Sequence, residues 1–314
     1  MSSLQPVDPL LLFTKNDKED PRLGECVLTS GLETTPSEYD IAILGYPDDE
    51  GIAVGGGRQG AKLGPQEIRR ILYKMTPHLA AKRHPRILDL GDVSTDQALA
   101  ERHEQGRKTV RSLLSKNKTW ISFGGGHDYG YADGSAFLDT YADQAVILNF
   151  DAHLDVRPVT RGLSSGTPFF RLLQEFPGRF DFAEIGIQSQ CNSQAHLKWA
   201  QERKAEVFLF EQIHQEGLLP VLKKYMQDKK NKKIFLSVDI DAFTSSEAPG
   251  CSQSWARGFM AQEFLPALHW LVSEHQVQGM GIYEVSPALD RDNATSKLAA
   301  LLAHQFLFSH LNKS

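Results

Sequence analysis

Short apolar runs alternate with longer amphipathic stretches along most of the chain. Eight runs are predicted to be strands: 41–46, 86–90, 119–123, 145–150, 183–187, 207–210, 234–238 and 279–283. They are apolar on consecutive rather than alternate positions, the pattern of strands covered on both faces. Between them, apolar residues at helical spacing predict helices over 96–116, 211–227 and 262–275. Gly64-Pro65 opens another that runs through Lys74, with Pro at a first helical position. A last helix is predicted over 294–310, with Leu298, Leu301, Leu302, Gln305 and Phe308 along one stripe. Strands that alternate with helices in this way predict a three-layer α-β-α fold around a mostly parallel sheet of about eight strands. Residues 1–38 are polar and rich in Pro, Asp and Lys, and read as a mostly irregular N-terminal arm that packs on the body. Residues 39–314 read as a single α/β domain without internal repeats or low-complexity segments.

Composition narrows the function classes. A net charge of -5, with no block of Lys and Arg beyond 229–233, argues against nucleic-acid binding. Cys26, Cys191 and Cys251 lie far apart without CxxC spacing, which predicts neither a disulfide scaffold nor a zinc site. A reducing compartment follows. The apolar run 10–13 is too short for a signal sequence, and no stretch has the length of a membrane span. The expectation is a cytoplasmic protein with no membrane or nucleic-acid partner. The glycine-rich loop 55–60 is followed by Ala61, where a phosphate-binding loop requires Lys.

In α/β folds ligands gather outside the carboxyl ends of the strands. The strand 145–150 runs into Asp151, His153 and Asp155, which share one side if the chain stays extended. The strand 119–123 runs into Gly124-Gly125-Gly126-His127, and 234–238 into Asp239 and Asp241. Glu284 follows the last strand. Each group is ordinary when taken alone. Together they bring two histidines and five carboxylates to one edge of one sheet. So much negative charge raises carboxylate pKa values unless cations neutralise it. Oxygen-rich ligation with imidazole favours Mn²⁺ over a cysteine-rich zinc site. Two metals about 3.5–4 Å apart can hold a water between them and activate it at neutral pH. The residues therefore predict a binuclear metal hydrolase.

Gly124-Gly125-Gly126-His127, Asp151-Ala152-His153-Leu154-Asp155 and Ser237-Val238-Asp239-Ile240-Asp241 resemble, in order, the three signature motifs of the ureohydrolase family of arginases, agmatinases and formimidoylglutamases. The resemblance spans about residues 40–310, and Arg58…Gly64-Pro65…Arg69 and 284–290 are similar to further family patterns. It implies one metal on His127, Asp151, Asp155 and Asp239, and a second on Asp151, His153, Asp239 and Asp241. It also implies that Glu284 receives the cationic amidine or guanidine group and that Asp155 passes a proton to the leaving amine.

Ser164-Ser165-Gly166-Thr167-Pro168-Phe169 lacks the histidines of the arginase and agmatinase patterns. With Arg157 nearby, it resembles the formimidoylglutamase branch. That branch implies two Mn²⁺ per subunit and attack of a metal-bridging hydroxide on N-formimidoyl-L-glutamate, giving L-glutamate and formamide in histidine degradation. The two carboxylates of this small amino-acid substrate need cations, with Arg157 the first candidate and Arg161 the second. Two alternatives stay open: a guanidino hydrolase that releases urea, and a non-catalytic metal-binding relative. Family relatives also imply a homo-oligomer. His196, His214, His269, His275 and His304 read as surface or packing residues. Cys251 reads as too far from a histidine base to be a nucleophile, and Phe259 and Trp255 read as core residues or pocket wall.

Overall fold

A computed structural model describes residues 4–312. Its strands are β1 (Leu4–Gln5), β2 (Val27–Leu28), β3 (Ile41–Gly45), β4 (Ile87–Val93), β5 (Thr119–Phe123), β6 (Ala145–Phe150), β7 (Phe180–Ile187), β8 (Glu206–Leu209), β9 (Lys233–Asp239) and β10 (Gln276–Tyr283). Its helices are α1 (Glu50–Val54), α2 (Gly64–Leu72), α3 (Leu99–Ser115), α4 (Gly130–Tyr141), α5 (Pro168–Glu175), α6 (Gln194–Glu202), α7 (Phe210–Glu216), α8 (Leu218–Tyr225), α9 (Ala261–Glu274) and α10 (Ala294–Leu311).

All ten strands form one sheet, in the order β1-β4-β3-β5-β10-β9-β6-β7-β8, with β2 also paired to β4. Only β1 runs antiparallel to its neighbour. The eight strands expected from the apolar runs are all present. The two additional pairs of residues come from the N-terminal segment, which adds to the sheet edge and buries Val7, Leu11 and Leu23 in the core.

Because strand side chains alternate, each apolar run feeds both faces of the sheet. Val146, Leu148, Leu236 and Val238 point into one core layer with residues of α2, α8, α9 and α10. Ala145, Ile147, Phe182 and Phe235 point into the other, with residues of α3, α4 and α5. The helix expected over 211–227 is instead two, because Gly217 at φ 86° breaks it between α7 and α8. The stripe expected on the last helix is also wider than its spacing suggested. Leu301 is exposed, whereas Ala299, Ala303 and Phe306 are buried, since α10 packs against both α2 and α9.

One polar group is fully buried at the edge of this core. Arg69 of α2 grips Asp89 of β4 through Nε at 2.7 Å and Nη2 at 3.0 Å, and reaches Asp92 at 2.6 Å. Its role in this structure is to tie α2 to β4. Arg69→Ala leaves the Asp89 charge buried without its partner. It is expected to cost about 3–5 kcal/mol in denaturant unfolding; a loss under 1 kcal/mol (roughly that of a surface pair) would contradict this role.

Candidate metal centre

The four strands that carry the candidate ligands are contiguous: β5, β10, β9 and β6 lie side by side at the centre of the sheet. All four are parallel, so their carboxyl ends open on the same edge. On β6, Asp151 continues the side of Ala145, Ile147 and Asn149; on β9, Asp239 continues that of Phe235 and Ser237. The segment after β5 turns at Gly125, where a Cβ would lie 1.6 Å from the Asp48 carbonyl oxygen. Glycine is required at that contact, and the turn delivers His127.

His127 is fully buried. Its Nε2 lies 2.8 Å from Ser237 Oγ. If Nε2–H donates there, Nδ1 presents its lone pair to the site. Around Nδ1 stand Oδ2 of Asp155 at 3.0 Å and Oδ2 of Asp151 and Asp239 at 3.1 Å each. A second group joins Asp151, His153 and Asp241, with His153 Nδ1 2.9 Å from Asp241 Oδ2 and 3.6 Å from Asp151 Oδ1. The ligand atoms within each group lie within 4.8 Å of one another. Backbone N–H groups hold the acids in place: His153 donates to Asp151 Oδ1 at 2.6 Å, and Asp241 to Asp239 Oδ1 at 2.8 Å.

Glu284 stands beside these groups. Its Oε1 accepts from the His127 N–H at 3.0 Å, and its own N–H donates to Gly125 at 2.8 Å. Asp155 and Glu284 both adopt left-handed backbone conformations, φ 46° and 65°. Such strain in residues other than glycine concentrates where geometry serves function.

The electrostatics favour a cation. Burial, with the charges of Asp241 and Asp151, holds Asp239 well above the usual carboxylate range. Burial, reinforced by Asp239, does the same to Glu284. Burial is also the largest cause that brings Asp241 up to about 6, with Asp151 adding to it and His153 opposing. Burial alone would lower the pKa of His127, but Asp151, Asp155 and Asp239 raise it well above the ordinary value. A proton on Nδ1 can serve only one of three carboxylates at a time. A divalent cation serves all four ligand atoms, so the donor set fits a metal of the manganese class.

The neighbouring cavity, of about 240 Å³, is lined by His153, Asp155, Asp239, Asp241 and Glu284. Arg157, Ser165, Cys191, Gln253 and Trp255 also line it. Arg157 also faces an adjoining cavity of about 400 Å³, with Arg161, Thr160, Ser164 and His196. Arg161 therefore lies in the annexe rather than beside the acids. His196 had no signal of its own in the sequence, because only the fold of the 188–196 segment brings it to Arg157. Trp255 lines the cavity whereas Phe259 is buried in the core. Cys251 is buried with its Sγ 3.7 Å from the Ala248 carbonyl, and burial with the nearby acids raises its pKa well above normal. His269 and His304 are hydrogen-bonded elsewhere, to Ser309 and to the Thr76 carbonyl. Among the described residues no helix is long and apolar enough to cross a membrane.

The arginase family model matches residues 39–309. The formimidoylglutamase of Enterobacter sp. (strain 638) is 32% identical over 277 residues, 86% of either chain. That of Salmonella arizonae is 29% identical over 316 residues, covering 97% of this chain and 98% of its own. The crystal structure of Trypanosoma cruzi formiminoglutamase with Mn²⁺ matches with a TM-score of 0.85 at 28% identity, over 94% of this chain and 100% of that one. The formimidoylglutamase structure from Bacillus subtilis gives the same TM-score at 26% identity, over 95% of this chain and 94% of its own.

The raised Asp241 pKa fixes the sign of a pH effect. An acid with a folded pKa near 6 holds an extra proton in the folded metal-free chain between about pH 4 and 6. That stabilisation is complete below the unfolded value and is lost as pH rises through 6. Metal needs the carboxylate form, so its stabilisation changes in the opposite sense. The rise in Tm on adding Mn²⁺ is expected to be large at pH 8 and small at pH 5. Equal shifts at both would contradict a carboxylate-held metal.

Proposed function

The chain belongs to the arginase family, and on that premise we propose that it hydrolyses N-formimidoyl-L-glutamate to L-glutamate and formamide. One observation carries the reading: a single cavity is lined both by acids, Asp155, Asp239, Asp241 and Glu284, and by an arginine, Arg157. The proposed substrate has the matching polarity, a cationic amidine at one end and two carboxylates at the other. Relatives named for this reaction cover nearly the whole chain.

Two Mn²⁺ per subunit would be held, one by His127, Asp151, Asp155 and Asp239 and the other by Asp151, His153, Asp239 and Asp241. Bound there, they would supply Lewis acidity and activation of water at neutral pH. The remaining steps belong to the side chains. Glu284, fixed by the His127 N–H, receives the amidine nitrogen protons. Arg157 pairs with one substrate carboxylate, and Arg161 in the annexe pairs with the other. Water oxygen bonds to the amidine carbon. Asp155 takes one water proton and passes it to the glutamate nitrogen as the C–N bond to that nitrogen breaks. The second water proton leaves the new carbonyl oxygen for the same nitrogen, so glutamate departs as the ammonium. Formamide keeps the other nitrogen.

The Mn²⁺-loaded protein, offered formimidoylglutamate, agmatine, arginine and guanidinobutyrate in parallel, is expected to release formamide and glutamate from the first alone. Urea from any of the others would overturn the substrate, and no product from any would favour a non-catalytic relative. Arg157→Ala removes a charge-assisted pair that contributes about 1.5–3 kcal/mol. It is expected to raise KM for formimidoylglutamate about 10- to 100-fold. An unchanged KM would contradict the binding role.

A further inference from the structure

Below the candidate ligands the strands carry polar side chains that no ligand role explains. Asn149 lies two residues before Asp151 on the same side of β6, and Glu184 of β7 is its register partner. Ser237 of β9 is its partner on the other side. All three are fully buried. One level deeper, the same face holds Ile147, Phe182 and Phe235. An apolar pair at 149 and 184 would hold β6 to β7 without placing an amide and a carboxyl out of reach of water.

The hydrogen bonds point to a purpose. Asn149 Nδ2 donates to Glu184 Oε2 at 2.8 Å and to Asp151 Oδ2 at 3.3 Å. The other Asp151 oxygen accepts from the His153 N–H at 2.6 Å. Each oxygen of Asp151 therefore meets a donor, one from β6 and one from the loop that follows it. Asp151 belongs to both groups of adjacent ligand atoms, and with Asp239 it is one of two residues in both assigned ligand sets. Its rotation would disturb both at once.

We propose that Asn149 and Glu184 are a positioning pair for Asp151: Glu184 takes one amide hydrogen of Asn149 and thereby aims the other at Asp151 Oδ2. Neither residue touches substrate in this role. Glu184 serves as an acceptor rather than as a charge, since burial, with Asp151 and Asp155 nearby, holds its pKa well above the usual range. Partners that orient a ligand from behind tune metal affinity by about 10- to 100-fold. This inference rests on the metal assignment above but not on the identity of the substrate.

The test is Mn²⁺ titration of the metal-stripped full chain, with free Mn²⁺ read by electron paramagnetic resonance. Glu184→Gln keeps the acceptor without a carboxyl and is expected to bind Mn²⁺ within about twofold of the parent. Glu184→Leu removes the acceptor, and Asn149→Ala removes the donor. Both are expected to raise the Mn²⁺ Kd about 10- to 100-fold, with KM at saturating Mn²⁺ unchanged. Circular dichroism of the metal-free variants separates this from misfolding, and Asn149→Ala decides if Glu184→Leu does not fold. Parent-like Mn²⁺ binding by Asn149→Ala would overturn the proposal, as would Glu184→Gln weakened as much as Glu184→Leu. A parent that binds no Mn²⁺ would overturn the metal assignment, and this proposal with it.

Discussion

Negative charge held out of water at the carboxyl edge of the sheet is the constraint around which the structure is arranged. Four acids and two imidazoles converge from three strand ends, with Glu284 arriving from a fourth between them. Charges this close and this buried are tolerated only when opposite charge or a proton offsets them. Much of the surrounding architecture serves to hold them together regardless. Tyr283 stacks on the His127 ring at 4.9 Å and Phe169 meets it edge-on at 5.4 Å. Tyr283 is itself anchored by Asp133, which also takes a hydrogen bond from Tyr46. The imidazole cannot turn away from the acids without disturbing the packing beneath it.

The pocket is lined by those acids and by Arg157, and the loop after the second motif holds the arginine there. The Arg157 N–H donates to the Gly166 carbonyl at 2.8 Å, and a Cβ at 166 would come within 2.8 Å of Arg157 Cδ. Glycine at this position leaves room for the Arg157 side chain, and Arg157 lines both cavities. A substrate with opposite charges at its two ends is the natural occupant of such a space.

Most of this was legible from residue order because of one property of strands. Side chains two apart share a side in a strand, so Asp151 with His153, and Asp239 with Asp241, announce themselves at the ends of apolar runs. In the structure the chain has left the strand by then, with Asp241 in a 3-10 turn over Ile240–Ala242 and Asp155 at φ 46°. Turns rather than strand alternation complete the two groups. What residue order does not contain is which strands become neighbours. That β5, β10, β9 and β6 lie side by side depends on long-range pairing, with β5 and β10 more than 150 residues apart in the chain. Asn149 and Glu184 escaped for a related reason: each looks like an isolated polar residue in its own strand, and only register makes them a pair. His196 and the break at Gly217 depend on loop course and on a single positive φ, neither of which periodicity records. The wide buried surface of α10 reflects two neighbouring helices where the spacing suggested one.

Diffraction from crystals grown with Mn²⁺, collected at the manganese absorption edge, addresses the charge constraint directly. Two anomalous peaks about 3.5–4 Å apart, flanking the carboxylates of Asp151 and Asp239, are the expected result. Anomalous density absent from Asp151 and Asp239 at saturating Mn²⁺ would mean that protons alone offset the buried charge, and would contradict the metal centre on which the proposed hydrolysis depends.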